Sequence, residues 1–199
     1  FTPPACCPEY TDGYQINSCL NTLLENCFAF CNDDCIAAGH YFYSYDDRAM
    51  DNTVCRGVVG WNARANGIRL GFYSHYDLGS FLFENCDFLG AKGSGVLIHP
   101  LQDAQEADRY QRYGDIRFRN CGFDLCEWLS NGLVAVEGAR IDTLEFSNCM
   151  FDAPAPALGK IYGHPVDKIR RLVLQDVLVG GQPVSAGSGS FEMKNIEEI

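Results

Sequence analysis

The sequence predicts an all-β fold, a right-handed single-stranded parallel β-helix of about six to seven turns. Two observations carry this prediction: an internal repeat and short segments in which apolar and polar residues alternate. Repeats of roughly 20–50 residues are typical of solenoids, in which each unit buries its apolar face only by stacking on the next. We expect residues 1–199 to form a single domain, the C-terminal part of a longer chain.

A series of cysteines marks the repeat most clearly. The series is Cys27, Cys55, Cys86, Cys121 and Cys149, separated by 28, 31, 35 and 28 residues, with Val177 a further 28 residues on. Asparagine precedes four of the five, as Asn26, Asn85, Asn120 and Asn148. Because buried cysteine behaves as a small hydrophobe, we expect an inward column of cysteines that fills the core. The asparagines then form a column at a bend and hydrogen-bond from turn to turn.

Alternating segments supply the strands. Four of them superimpose position by position, at 81–88, 116–123, 144–151 and 172–179. A second short strand is expected in each repeat, at 34–37, 67–70, 95–98, 132–136 and 159–162. A period of two indicates strands rather than helices. Stacked strands lie about 4.8 Å apart, so equivalent side chains of successive turns should touch.

Composition excludes several classes of partner. A net charge of −11 argues against nucleic acid, whose phosphates would be repelled. No apolar run is long enough to span a bilayer, so no membrane contact is predicted. The sequence offers no paired Cys-x-x-Cys motif, and we predict neither a metal nor a cofactor.

Three carboxylates form the candidate catalytic site. Asp12 precedes Asp33 and Asp34 by 21 and 22 residues, close to the repeat length, so the three acids should meet on neighbouring turns. Adjacent residues of a regular strand point to opposite faces, and both members of the Asp33–Asp34 pair serve one cleft only if the chain bends there. The alternative is an Asx-type turn without chemistry.

Four motifs resemble those of polygalacturonase-type glycoside hydrolases, family 28, which have a pectin-lyase-like solenoid. They are Thr-Asp-Gly at 11–13, Asn-Asp-Asp-Cys-Ile-Ala at 32–37, Asn-Gly-Ile-Arg-Leu-Gly at 66–71 and Ser-Gly-Val-Leu-Ile-His at 94–99. Asn-Asp-Asp at 32–34, followed by Asp-Asn-Thr-Val at 51–54, is also similar to dextranase-type β-helix enzymes of family 49. The resemblance implies inverting hydrolysis with Asp34 as general acid and with Asp12 and Asp33 as bases. It also implies a disulfide between Cys35 and Cys55.

The chain departs from family 28 where that family grips its substrate. Asn66 stands in place of the family's His, Leu97 in place of its Arg and His99 in place of its Lys. Since that Arg and Lys hold the substrate carboxylate, their replacement argues against polygalacturonate as the substrate. The acidic net charge points the same way.

Five residues are candidates for substrate contact, namely Tyr43, Asn66, Arg69, His75 and His99. Arg69 is expected to point outward, where its guanidinium fork suits sugar hydroxyls or a carboxylate, or forms a surface salt bridge instead. Tyr43 belongs to an aromatic loop, residues 39–51, that either stacks on sugars or packs on the outside of the coil. His75 and His99 either line the cleft or are solvated histidines.

Taken together, these features predict a secreted or periplasmic glycosidase acting on a polysaccharide or oligosaccharide. One alternative is a non-catalytic carbohydrate-binding or adhesive β-helix. Another is a calcium-dependent polysaccharide lyase, in which the acids would hold the metal. Because a solenoid needs its first turn covered, we also expect an N-terminal segment or a second chain over the open end.

Overall fold

The computed structural model describes residues 11–39, 50–62, 64–71, 77–100, 111–125, 132–152, 159–184 and 189–199. In these ranges the chain forms strands and turns, and no helix long and apolar enough to cross a membrane occurs among them. The strands are β1 (Tyr14–Asn17), β2 (Leu20–Glu25), β3 (Phe28–Cys31), β4 (Ile36–Gly39), β5 (Asp51–Arg56), β6 (Val59–Asn62), β7 (Ile68–Gly71), β8 (Phe81–Glu84), β9 (Asp87–Ala91), β10 (Ser94–His99), β11 (Arg112–Arg119), β12 (Gly122–Leu125), β13 (Gly132–Ser147), β14 (Met150–Asp152), β15 (Gly159–Gly163), β16 (Ile169–Gln175), β17 (Leu178–Val179), β18 (Gln182–Pro183), β19 (Phe191–Lys194) and β20 (Ile196–Glu198).

Parallel pairing stacks these strands into three sheets. The first sheet contains β1, β4, β7, β10, β13, β15 and β19. The second contains β2, β5, β8, β11, the second half of β13, β16 and β20. The third contains β3, β6, β9, β12, β14 and β17, and ends with β18, which pairs antiparallel.

This arrangement confirms the parallel β-helix. It has about five full turns, from β1 to β14, and shortened turns at its C-terminal end, against the six to seven that the spacing predicts. The right-handedness of the coil stays a prediction from the sequence.

Each eight-residue alternating segment is two strands joined by a bend, at an asparagine in three of them and at Asp176, with φ 51°, in the fourth. Asn85, Asn120 and Asn148 lie at φ 53°, 53° and 51°, in the left-handed region that asparagine tolerates better than most residues. The Asn120 amide donates to Asn85 Oδ1 at 3.1 Å, and the Asn148 amide donates to Asn120 Oδ1 at 2.7 Å. The predicted column of asparagines that hydrogen-bond from turn to turn is therefore confirmed for Asn85, Asn120 and Asn148. It does not extend to Asn26, because Gly57 takes the equivalent position on the following turn.

Replacing Asn120 separates the backbone role of this column from its hydrogen bonds. Asn120→Gly keeps the left-handed φ and loses both amide bonds, whereas Asn120→Ala also places a Cβ in a region that costs about 1–2 kcal/mol. We expect the alanine variant to be less stable than the glycine variant by about 1 kcal/mol in urea unfolding. Equal losses in the two variants would contradict the backbone role.

The core is built from columns of identical side chains. Phe83, Phe118 and Phe146 stack along the second sheet with ring centroids 4.9 and 4.8 Å apart. Phe88, Phe123 and Phe151 stack along the third sheet at 5.5 and 4.8 Å. Cys86, Cys121 and Cys149 form a buried column that continues into Val177. The predicted core-filling column is confirmed for these three cysteines. It is wrong for Cys55, which is buried level with Phe83, while Val58 takes the place before Cys86.

Candidate active site

The three predicted acids meet at the corner between the third and first sheets. One oxygen from each of Asp12, Asp33 and Asp34 lies within 4.8 Å of the others. The register explains this, because Tyr14 of β1 pairs with Ile36 of β4, which sets Asp12 level with Asp34 on the next turn. The prediction from the repeat length, that these acids meet on neighbouring turns, is therefore confirmed.

A bend lets neighbouring aspartates face the same side. β3 ends at Cys31 and β4 begins at Ile36, so Asp33 and Asp34 lie in a corner instead of a regular strand. The Asp33 amide donates to the Thr11 carbonyl at 3.1 Å, which ties this corner to the preceding turn. The bend that the sequence argument required is present.

Asn62 holds this corner from the turn above and was missed in the sequence. It is buried, and its side-chain amide donates to the Asp33 carbonyl and to the Asn66 carbonyl, the latter at 3.0 Å. Its Oδ1 accepts from the backbone amides of Arg64 and Ala65, each at 2.6 Å. The alternation in residues 59–62 could have found it, because Asn62 shares the inward face of Gly60 and is therefore a polar residue in an inward position at the end of a strand.

Asp34 lies inside the wall of the coil. Its relative exposure is 1%, and Arg69 Nε contacts its Oδ2 at 2.5 Å. Its other oxygen accepts from the Asn66 backbone amide at 3.1 Å and from the Asn66 side chain at 2.7 Å. Asn66 and Arg69, both predicted to contact substrate, are therefore engaged in holding Asp34.

Arg69 also links the buried acid to Asp12. Its NH2 group lies 3.7 Å from Asp12 Oδ2, and the Asp12 Oδ1 accepts from the Asp34 backbone amide at 3.2 Å. Asp12 and Asp33 are only partly buried, in contrast to Asp34. The corner thus presents two carboxyl groups toward solvent over a buried Asp34–Arg69 ion pair.

Burial shifts the protonation of two of the acids. It raises the pKa of Asp34 from 3.8 to about 6, although the Arg69 guanidinium and the Asn66 hydrogen bonds act in the opposite direction. Burial also raises the pKa of Asp12, where Arg69 lowers it and the Asp33 carboxylate raises it. A carboxyl group with a raised pKa keeps its proton nearer neutral pH, which suits a proton donor.

Close packing of the backbone explains the glycine of the Thr-Asp-Gly motif. A Cβ built on Gly13 would lie 2.6 Å from the Cys35 carbonyl oxygen and 2.7 Å from the Ala29 Cβ. A side chain at this position would push the first turn away from the second. Gly13 therefore keeps Asp12 within reach of Asp34.

An exposed aromatic strip lies next to the acids. We use this name for Phe28, Phe30 and Trp61, which face outward on the first two turns of the third sheet. Phe30 and Trp61 are 41% and 38% exposed and meet edge to face, with centroids 5.9 Å apart. Since Phe30 precedes Asp33 by three residues and Trp61 precedes Asn62, the strip ends where the acidic corner begins.

The structure does not bring His99 to this corner. Asp34 is level with Asn66 and Ser94, and His99 lies five residues beyond Ser94 along β10, about 16 Å away along the strand. Its Nδ1 is 3.7 Å from Glu137 Oε2. Tyr43 and His75, the other two candidates, lie outside the described residues.

The disulfide that the family resemblance implies does not form in this structure. Cys35 and Cys55 both carry free thiols. Cys35 lies in the corner before the first sheet, whereas Cys55 lies in the second sheet, level with Phe83. The two sulfurs belong to different sides of the coil, and the expected pairing is wrong for the fold as it stands.

The same three acids have the spacing of a cation site, but Arg69 argues against one. Hard cations such as Ca²⁺ take six to eight oxygen ligands, and one ligand position at Asp34 is already filled by the guanidinium. The positive charge of Arg69 also repels a divalent ion from Asp12. The donor set therefore fits an ion pair better than a metal.

Comparison with models of protein families, with curated proteins and with solved structures gives no match in any of the three. The fold and the corner define the molecule as a parallel β-helix with an acidic site between its first two turns. The likeness to family 28 consequently rests on the short motifs and on the meeting of Asp12 with Asp33 and Asp34.

Proposed function

We propose that the protein is a glycoside hydrolase that cleaves a neutral polysaccharide or oligosaccharide at the acidic corner. The observation that carries this proposal is the convergence of Asp12, Asp33 and Asp34 from two turns onto one partly exposed corner. Glycoside hydrolysis needs two carboxyl groups at the scissile bond, one that donates a proton and one that acts as base or nucleophile.

The roles follow from exposure. Asp12, with its raised pKa, donates the proton to the leaving oxygen, and the Asp33 carboxylate acts on the anomeric carbon or on water. Asp34 is a positioning residue in this proposal, because a carboxyl group with 1% exposure does not reach a glycan. The proposal therefore gives Asp12 the proton-donor role that the family resemblance implied for Asp34.

The separation of the acids bears on stereochemistry. Inverting enzymes hold their carboxyl groups roughly 6.5–9.5 Å apart to admit a water molecule. The nearest oxygens at this corner lie within 4.8 Å of one another. The resemblance implies inversion, and the anomeric form of the first product distinguishes it from a double displacement.

A neutral glycan fits the charges of the corner. Three carboxylates face one guanidinium, and Arg69 is already engaged by Asp34 and Asp12. A uronate would therefore meet excess negative charge beside these three acids. The aromatic strip offers apolar ring faces beside the acids, which suits the apolar faces of pyranose rings.

Substitution in the aromatic strip tests the substrate surface. We expect Trp61→Ala to weaken binding of soluble neutral polysaccharides roughly tenfold, because it removes the largest exposed ring beside the acids. Affinity electrophoresis in gels with dextran, xylan or polygalacturonate measures this. Met150→Ala is the matched control, since Met150 is exposed on the same sheet three turns away. Equal mobility of Trp61→Ala and wild type in every gel would show that the aromatic strip does not bind the glycan.

Release of reducing ends tests the activity itself. We expect the protein to liberate reducing sugars from at least one neutral polysaccharide, without the ultraviolet absorbance of an unsaturated product. Such absorbance would instead indicate a lyase.

A non-catalytic carbohydrate-binding module is the second candidate. It is favoured by the hydrogen-bond ladder in which Asp12 accepts from Asp34 and Asp34 accepts from Asn66, because such a ladder stabilises stacked turns without chemistry. Binding in the gels without release of reducing ends would identify this function.

A further inference from the structure

Two thiols bracket the acidic corner. Cys31 ends β3 and Cys35 follows Asp34, so the pair encloses Asn32, Asp33 and Asp34. Their sulfurs are 3.6 Å apart, and both residues are buried, with exposures of 6% and 0%. Among the cysteines that the structure describes, Cys31 and Cys35 are the pair that meets within one corner of the coil.

We propose that Cys31 and Cys35 are a disulfide-forming pair that closes the corner carrying Asp33 and Asp34. A disulfide requires a sulfur separation of about 2.05 Å, so each sulfur moves by less than 1 Å from its present position. The thiol contacts that such a movement gives up are weak: Cys31 Sγ donates to the Asp33 carbonyl at 3.3 Å and to the Trp61 carbonyl at 3.8 Å.

The surroundings keep the two sulfurs together. A Cβ on Gly60 would lie 2.8 Å from the Cys35 sulfur, so the absence of a side chain at Gly60 makes room for Cys35. The Asn62 amide, which holds the Asp33 carbonyl, also lies 4.0 Å from the Cys31 sulfur. The residues that fix the corner are thus the residues that fix the thiol pair.

Oxidation proceeds by exchange with a low-molecular-weight disulfide such as oxidised glutathione. The Cys31 thiolate, the more exposed of the two, attacks one sulfur of the reagent and releases one thiol. Cys35 then loses its proton and attacks the Cys31 sulfur, which forms the protein disulfide and releases the second thiol. In sum, two protein thiols are oxidised by two electrons and one reagent disulfide is reduced to two thiols.

The second step is slow in the folded chain. In the dithiol state the hydrogen bond with Cys31 and burial both raise the pKa of the Cys35 thiol. Burial persists in the mixed disulfide and keeps the thiolate fraction of Cys35 low. The experiment is therefore run to equilibrium, with samples taken until the mass no longer changes.

Peptide mapping of the native protein tests the proposal. The protein is held in excess oxidised glutathione, denatured with an alkylating agent and cut before aspartate, which severs the chain between Cys31 and Cys35. We expect the two resulting peptides to remain joined until a reductant is added, with the joined species lighter by two hydrogens than the sum of the separate peptides. Cys121 and Cys149, stacked in the core column, are the internal control and should be alkylated.

Two variants complete the test. In Cys35→Ala, Cys31 should become alkylated, and in Cys31→Ala the same holds for Cys35. Alkylation of both Cys31 and Cys35 in the oxidised wild type would overturn the proposal, and so would a link between Cys35 and Cys55. Neither result depends on whether the protein hydrolyses a glycan.

Discussion

Arg69→Met is expected to destabilise the protein by about 3–5 kcal/mol at neutral pH, because it leaves the buried Asp34 carboxylate without its charged partner. Methionine keeps an unbranched apolar side chain of similar length, so the loss is one of charge and hydrogen bonding. Urea unfolding followed by circular dichroism measures the change.

The loss should depend on pH. A rise in the pKa of Asp34 from 3.8 to about 6 means that the folded chain binds a proton more tightly than the unfolded chain. Between about pH 4 and pH 6 the folded state therefore binds more protons, and wild-type stability falls by about 3 kcal/mol from this group as the pH rises through that window. Without Arg69 the ionised form of Asp34 is still less favourable. Relative to the wild type, Arg69→Met therefore loses far more unfolding free energy at pH 7 than at pH 4.

Two further proteins control this experiment. Arg171→Met removes an exposed arginine whose carboxylate partner, Glu198, lies 3.8 Å away, and it should change stability little at either pH. The double variant Arg69→Met with Asp34→Asn should recover much of the loss at pH 7, since no charge is then buried. An equal effect of Arg69→Met at both pH values would contradict the ion pair as described.

Asp33→Asn is expected to lower turnover at least about a hundredfold while the protein stays folded and still binds its glycan. The Asp33 side chain is partly exposed, and the corner is held by backbone groups of this residue, so asparagine fits the same space. The assay follows reducing ends released from the polysaccharide that the wild type cleaves. Asp12→Asn should show a loss of the same order.

Asp124→Asn is the matched control for charge. Asp124 is an exposed aspartate on the third sheet, three strands beyond β3, and its replacement should leave turnover unchanged. If Asp33→Asn keeps wild-type turnover, this carboxylate has no part in the reaction.

The sequence predicted the coil and the meeting of its acids because both follow from repetition. The cysteine spacing identified the core column of Cys86, Cys121 and Cys149, but it also assigned Cys55 to that column, whereas the register sets Cys55 level with Phe83. The spacing of Asp12 from Asp34 indicated adjacent turns, and the register of β1 with β4 confirms it.

The sequence could not predict how deeply each of the three acids is buried. Period two separates inward from outward positions only along a strand, and Asp33 and Asp34 lie in a corner where that alternation is broken. Arg69 does occupy an outward position of β7 as predicted, yet its side chain lies across the wall and pairs with Asp34 instead of extending into solvent. That pairing depends on side-chain direction, which spacing does not encode.

The pairing of the cysteines likewise depends on side-chain placement in a corner, which the sequence does not predict. Cys35 was expected to pair with Cys55 on the strength of the family resemblance, but Cys35 lies in the corner before β4 and Cys55 lies within β5 of the second sheet. The nearest sulfur to Cys35 belongs to Cys31, four residues earlier, because the corner turns back on itself. The contact between Cys31 and Cys35 depends on the conformation of this bend, which the sequence pattern does not predict.

Hydrolysis in water enriched in heavy oxygen tests the central claim most directly. If Asp12 and Asp33 act together at this corner, cleavage of a neutral polysaccharide incorporates one solvent oxygen at each new reducing end, and Asp33→Asn abolishes the labelled product. Products that carry no solvent oxygen, or labelled products formed equally by wild type and Asp33→Asn, would contradict it.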